Sequence, residues 1–588
     1  MPRRAELASR AETAEQPIWP ALTLEVFLYA LIVAGAVFVR FYALGRWPLL
    51  NEEASQALAA WRFLQGQGAS SSSVPLLFDG ALVSFFAFGA SDGAARLLPA
   101  ALGAAVVLVP VALRRRLGSW GALAASFGLA FSPIMVFYSR TLAGPAPALA
   151  GLGALLVAIE WASQGQEQRA TVLGAVGLAV GLTSSPWVYT FLLAALLFYG
   201  LGWLRTRRGT VWAGWAAGQK TLHRALSDRR AWSGLALLVV PISLGMLLNW
   251  GGLQATANLL ATWLGRLVPG SGGRSWGYTL QVLAFYESAT LVLGLAGLVI
   301  GLRRQSSWAG FLGLWAVVAI FLASISGARD GAPVALALLP LTLLAGLAVS
   351  EVVARLRAAQ WAWVGGCLFV FAAVLGFWWI QLAAYSNADL QTALSADLTV
   401  VGLLTLATPL LLVATGLVFW FWVGRAETAW AVVLLGLGLA ACLIVRQSVN
   451  LNFIYARDAR EPLLAAPSSV DLNDMVAFLE DWSARKALDQ HALTIEVASN
   501  LGPLVPWYLR DFPVRVLPSP GADDGAGALV LAAQPEKAAL PGYVGQRYQL
   551  LTTSDTPLGS FREGLSWWLL RTGGGPVQRQ ACELWVKP

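Results

Sequence analysis

Two adjacent carboxylates, Glu52 and Glu53, follow an aromatic and basic stretch (Phe41, Tyr42, Arg46, Trp47) and Pro48. They precede a helical run with Leu58, Trp61, Phe63 and Leu64 on its apolar positions. That run is too short and too charged to cross a bilayer, so it is expected to lie along the surface. Paired acids held at a membrane face can take up a proton or bind a cation, which makes them the best candidate for a reaction centre. A plainer use competes: Asn51 caps the helix, and acids in a first turn suit the helix dipole. Arg96, Arg140, Arg274 and Arg329 fall near helix ends on the same side as the acids. Each could hold a phosphate through bidentate contacts, or snorkel to the interface. Tyr286 and Glu287 lie a turn or two inside an apolar block. An ionisable group there is a functional candidate by default, against the reading of a helix-start acid facing water.

Such residues need a scaffold, and the composition identifies it. The chain is 57% hydrophobic and 12% charged, with mean hydropathy +0.64. Its apolar residues come in long blocks, so the fold class is a polytopic α-helical membrane protein. The net charge of +8 follows from basic residues in short cytoplasmic loops, and no nucleic-acid partner is expected. Cys367 and Cys442 fall in apolar blocks and Cys582 stands alone, so no disulfide framework or thiolate metal site can be built. His223 and His491 are far apart, which leaves only hard, oxygen-ligated metals such as Mg²⁺, Mn²⁺ or Ca²⁺.

Apolar blocks of spanning length start near 21–44, continue through 94–113, 119–137, 146–163, 170–185 and 186–204, and end at 428–446. About 13 membrane helices are expected on the length criterion. The arcs that a cytoplasmic N-terminus places inside hold more than twice the Lys and Arg of the external arcs. An odd helix count then puts the C-terminal region outside, with the Glu52 and Glu53 loop. The division is a cytoplasmic tail 1–20, a membrane domain 21–446 with external loops 45–93 and 251–280, and an extracytoplasmic domain 447–588. The loop 45–93 contains an apolar run broken by Asp79, expected to dip into the interface, and 251–280 contains the amphipathic LQATANLLATWLGRL. In the tail, Met475, Phe478, Leu479 and Trp482 have helical spacing, and LTIEVAS, VRVLPS and GALVLAA read as strands. A small α/β domain follows. No glycine-rich phosphate loop is present.

The order of features resembles the GT-C superfamily of polyprenyl-phosphate-dependent glycosyltransferases, such as the protein O-mannosyltransferases and the lipid A aminoarabinose transferases. LGRWPLLNEEASQALAAW resembles the first-loop motif, in which an acid pair follows an aromatic-proline turn. GASDGAARLLPAALG, Gly89 to Gly103, resembles the start of the second helix, with Arg96 at the family's arginine. SPIMVFYSR, Ser132 to Arg140, resembles the motif ending the third. REPLLAAPSSVDLNDM and PWYLRDFPV look like a subgroup with an external α/β domain, some of them termed flippase-associated. The resemblance implies a plasma-membrane enzyme that moves a sugar from a polyprenyl-phosphate donor to an acceptor on the external face, among membrane lipids and membrane-protein partners. It makes Glu52 or Glu53 the base, Glu52 a ligand for Mg²⁺ or Mn²⁺, the four arginines holders of the donor phosphate, and Tyr286 and Glu287 substrate contacts.

Two departures stand out. The family's first acid is usually aspartate, where this chain has Glu52, and TLAGPAPA follows Arg140 without the usual second acid. The missing acid motivates an alternative, a catalytically degenerate relative serving as an accessory subunit. A transporter fares worse, because the sequence gives no sign of paired broken helices. Trp507 and Tyr508 could stack on a sugar, although packing against the membrane domain is the simpler expectation.

Overall fold

The structure, a computed structural model, describes residues 23–67, 74–207, 227–245, 248–268, 275–327, 329–356, 359–387, 392, 397–464, 466–517, 529–533, 542–554, 561–572 and 577–586. Among these, eight helices are long and apolar enough to cross a membrane, or ten if each of two bent pairs is one span. The other apolar blocks make shorter or less apolar helices. The block 94–113 divides into Leu97–Val106 and Val109–Ala112, with Pro110 at the start of the second piece. The block 232–250 yields only the 15-residue helix Arg229–Ser243.

The helix Ala332–Arg355 forms the centre, with 89% of its apolar window buried. Its neighbours Ser288–Arg303, Ser307–Ile325 and Ser119–Phe131 pack around it. Glycines make this approach possible, as expected where apolar lipid gives helices no hydrophobic reason to associate. A Cβ on Gly297 would stand 1.8 Å from the Leu344 carbonyl oxygen, and one on Gly121 would stand 2.5 Å from that of Gly346. The helices Trp361–Ser386, Leu398–Trp422 and Arg425–Val449 stand at the edge, around a small core of Val364, Cys367, Phe371 and Ala431.

Two helices are broken, contrary to the expectation from sequence. Ser119–Phe131 bends by 54° into Pro133–Ser139, and Tyr278–Tyr286 bends by 101° into Ser288–Arg303. The breaks meet. Glu287 accepts hydrogen bonds from Ser132 Oγ and, at 3.5 Å, from the Ile134 N–H of one break. It also accepts from Thr290 Oγ1 at 2.9 Å on its own helix. Its carboxylate thus faces the starts of two half-helices, whose free N–H groups and dipoles favour negative charge. These bonds occupy a fully buried acid that has no cation among its partners in the described residues. Asn452 Nδ2 donates to the Pro133 carbonyl at 3.2 Å and closes the same junction.

The tail forms a five-stranded sheet in the order β2-β1-β3-β5-β4. The strands β1 (Ile495–Ala498), β2 (Val514–Leu517) and β3 (Leu529–Ala533) are parallel and match the three runs expected from sequence. The strands β4 (Val544–Ser554) and β5 (Val577–Val586) extend the sheet antiparallel. The helix Asp471–Ala487 covers it, with Leu472, Met475 and Leu479 buried. This domain does not keep its core to itself. Leu49, Ala57, Leu58, Phe78 and Phe85 of the first loop belong to the same buried cluster as Met475, Val497, Trp507 and Leu584. Loop and tail therefore lie on one side of the membrane domain. That side is here the domain face.

The central crossing is a test of this packing. Gly297→Val forces a methyl group into the backbone of the central helix and is expected to destabilise by about 1–3 kcal/mol or more. Gly376→Val, at a position with nothing within 4 Å, is expected to leave the thermal unfolding midpoint in detergent unchanged. Equal midpoints for the two variants would contradict the crossing.

Candidate functional site

The first loop leaves the helix Leu24–Phe41, turns at Pro48 and starts the helix Asn51–Leu64. Leu50 occupies the cap position and Asn51 is already the first helical residue, so the expected asparagine cap does not form. The work of the cap falls to Glu53, which accepts from the Leu50 N–H at 2.8 Å. Glu53 is 2% exposed. It accepts further bonds from the Leu142 N–H at 2.6 Å and from Arg96 Nε and Nη2 at 2.9 and 2.7 Å. Arg96 also donates to the carbonyls of Leu44, Trp47 and Pro48 at 3.1, 2.9 and 3.2 Å. A guanidinium has five N–H groups, and here each is used. Burial alone would raise the Glu53 carboxyl; the Arg96 charge and the donated bonds outweigh it and hold the group below its usual range.

A cavity of about 40 Å³ lies against this clamp, lined by Glu53, Arg96, Arg140 and Arg457 together with Trp47 and Asn452. It has room for water or one small polar group. Arg140 donates to the carbonyls of Val39 and Tyr42 at 2.9 and 2.8 Å and to that of Ala43 at 3.3 Å, closing the end of the first helix. Its guanidinium also stands over Phe453, 4.6 Å from the ring centre. Arg457 donates to the Pro48 carbonyl, while its buried Nε–H has no partner among the described residues. Burial, and then the neighbouring Arg96 charge, lower its pKa to about 10. The π-helical turn Asn450–Ile454 forms part of the wall through Leu451 and Asn452; such turns recur at functional sites.

The predicted residues divide. Glu53, Arg96 and Arg140 come together at the cavity. Arg96 has no N–H left for a phosphate in this arrangement. Glu52 is exposed to solvent, beside Glu53 but outside the cavity lining. Arg329 sits apart, its guanidinium 5.0 Å from the Trp276 ring centre. Arg274 lies outside the described residues. Tyr286 and Glu287 are buried and do not line the cavity. Tyr286 donates to Glu461, which pairs with Arg571 at 2.8 Å and ties the tail to the bent helix. Trp507 is fully buried against Phe85, so it packs rather than offering a face to a sugar. Sequence reasoning missed Arg457. The only signal was its place just after the last apolar block, and nothing there indicates that it folds back onto Pro48.

A divalent cation, which the resemblance implies, finds a poor donor set here. Among the described residues no group of three or more His, Cys, Asp or Glu is placed to hold one. Both Glu53 oxygens are engaged, which leaves Glu52 as a single carboxylate.

No family model matches the chain, and no curated protein matches it either. Solved structures do. ArnT from Cupriavidus metallidurans bound to undecaprenyl phosphate aligns with TM-score 0.54 at 16% identity, over 87% of this chain and 94% of that one. Its apo state gives 0.53 at 16% identity, over 87% and 93%. The archaeal oligosaccharyltransferase AglB from Archaeoglobus fulgidus, in complex with an inhibitory peptide and a dolichol-phosphate, gives 0.44 at 12%, over 84% and 64%. The GT-C-like architecture expected from the motifs is thus the fold of this chain.

Glu53→Gln leaves the buried Arg96 charge without its counter-ion and is expected to cost about 3–5 kcal/mol. A depressed folded pKa contributes stability that is fully present above the unfolded value, about 4.3 for Glu, and is lost as pH falls through the folded value. The difference between wild type and Glu53→Gln in thermal unfolding is therefore expected to be flat near neutrality and to shrink on acidification below about pH 4. A difference that grows on acidification would contradict the clamp.

Proposed function

We propose that this protein is a membrane glycosyltransferase that moves a sugar from a polyprenyl-phosphate-linked donor to an acceptor on the domain face. The observation that carries the reading is the division of labour between adjacent acids. Glu53 is locked to Arg96 and fixes the turn 47–51, while Glu52 is left exposed on that turn's outer side. The inner side of the turn borders a basic cavity where Arg457 holds an unpaired N–H. A proton acceptor and a cationic phosphate holder then flank one turn, which is the pairing that transfer from a lipid phosphate needs. Glu52 takes the acceptor hydroxyl's proton as its oxygen bonds the sugar's anomeric carbon and the bond from that carbon to the phosphate oxygen breaks, and the arginine-lined wall steadies the departing lipid phosphate. The fold supports the reading, because ArnT was solved with undecaprenyl phosphate bound. The excess of Lys and Arg in the opposite arcs favours a domain face turned away from the cytoplasm.

The second reading, an accessory subunit without activity, is favoured by the small cavity and by the absence of a usual second acid after Arg140. Reconstitution in lipid vesicles with a radiolabelled polyprenyl-phosphate sugar separates the two. Glu52→Gln is expected to lower transfer by about 100-fold or more, the usual contribution of a general base, with unchanged unfolding behaviour because Glu52 is exposed. Arg457→Gln is expected to lower kcat, because the charge it steadies grows as the lipid phosphate departs. Full transfer by Glu52→Gln would remove the base assignment. Stable co-purification with partners and no transfer by the wild type would favour the subunit.

A further inference from the structure

The turn 47–50 has no secondary structure of its own, so its backbone groups must find partners elsewhere. Side chains supply nearly all of them, and most come from far along the chain. Arg96 takes the carbonyls of Trp47 and Pro48, and Glu53 takes the Leu50 N–H. Leu49, fully buried, is held at both ends by the tail. Its N–H donates to the Tyr508 hydroxyl at 2.8 Å, and its carbonyl accepts from Ser468 Oγ at 2.6 Å. The same Tyr508 hydroxyl donates to Asp92 Oδ2 at 2.5 Å, and Trp507 Nε1 donates to Asp92 Oδ1 at 2.8 Å. Asp92 opens the short helix that runs into Arg96. One hydroxyl therefore joins the strand of chain that leads to Glu52 and Glu53 with the strand that leads to Arg96.

We propose that Tyr508, seconded by Ser468, is a positioning residue: through Leu49 and Asp92 the sheet domain sets the turn that presents Glu52 to the substrate. This rests on the transferase reading above. The hydroxyl touches no reacting group; it acts by holding both backbone groups' neighbours in register. Domain docking alone does not need it, because Trp507, Leu504 and Val505 are buried in the shared core and supply the packing.

Tyr508→Phe removes the hydroxyl and keeps the ring. In the full-length protein in vesicles, hydrogen exchange over 47–53 is expected to accelerate while exchange in β1 and β5 stays as in wild type. In the same vesicles kcat is expected to fall about 10- to 100-fold, the scale of a small misplacement, with KM for the lipid-linked sugar within about twofold. Ser468→Ala releases the other end of Leu49 and carries the same expectation, so the idea stays testable if Tyr508→Phe does not fold. Unchanged exchange over 47–53 in both variants overturns the proposal while leaving the transferase reading intact. So does faster exchange with unchanged kcat. A wild type that transfers no sugar overturns the transferase reading, and the positioning role with it, even where exchange shows that Tyr508 holds the turn.

Discussion

A carbonyl freed at a helix end beside a bilayer has little water to bond, and an unpaired group there costs several kcal/mol. This protein answers the problem with arginines. Arg40 reaches from the last turn of the first helix to the carbonyls of Leu129 and Ala130 at 2.9 and 2.8 Å, where the helix Ser119–Phe131 breaks. Arg140, at the far end of the half-helix Pro133–Ser139, reaches back to the end of the first helix. Arg96 serves the turn 44–48, and Arg446 and Arg571 serve the end of the tail helix Phe561–Leu570. A guanidinium suits this task because it carries several donors in a fixed plane and stays charged at a helix end of negative dipole. The basic residues on the domain face are consequently structural in the main, and among the described residues that line the cavity Arg457 keeps a buried donor unpaired.

The same constraint explains why two neighbouring acids differ. The helix Asn51–Leu64 buries adjacent residues elsewhere, Glu53 with Ala54 and Leu58 with Ala59, so helix geometry alone does not decide which acid goes inside. Burying a carboxylate is tolerable only with full compensation, and Arg96 with two backbone N–H groups provides it for Glu53. Glu52 receives no such partners among the described residues and is exposed. The pair is one anchor and one free acid.

Much of this was legible in the sequence. Long apolar blocks announce membrane helices, and the runs around Ile495, Val514 and Leu529 announce strands, because each depends on local periodicity. The acid pair and the arginines near helix ends were also visible, though their partners were not. Glu287 meets Ser132 across 155 positions and Arg457 meets Pro48 across 409. No local pattern encodes such pairings. The broken helices escaped for a related reason. Each block reads as continuous because only one polar or proline pair, Ser132–Pro133 or Glu287–Ser288, interrupts it, and the partners that join the two breaks, Glu287 and Asn452, lie far from Pro133 and Ile134 in sequence. Strand β4 starts with the polar VGQRYQ, whose side chains are mostly exposed, so it lacks the alternation that marks a half-buried strand.

The shared core settles how the site can be assembled. Glu53 and Arg96 are 43 residues apart, whereas Leu49 and Tyr508 are 459 apart. Loop closure grows slowly with length, at about 0.6 kcal/mol per doubling, so the longer closure costs about 2 kcal/mol more for a free chain. Inserted helices lower that cost further by confining both ends to one membrane face. Burying even two large side chains repays it, at about 1.5–3 kcal/mol each. Leu49, Phe78 and Phe85 are buried in the common cluster with Trp507 and Val505. Distance along the chain is therefore no obstacle to docking; the order of synthesis is what matters. The clamp can close once the early helices are in place, but Leu49 gains its hydrogen bonds only when the tail arrives. The turn that leads to Glu52 is thus completed by residues made 419 and 459 positions after Leu49.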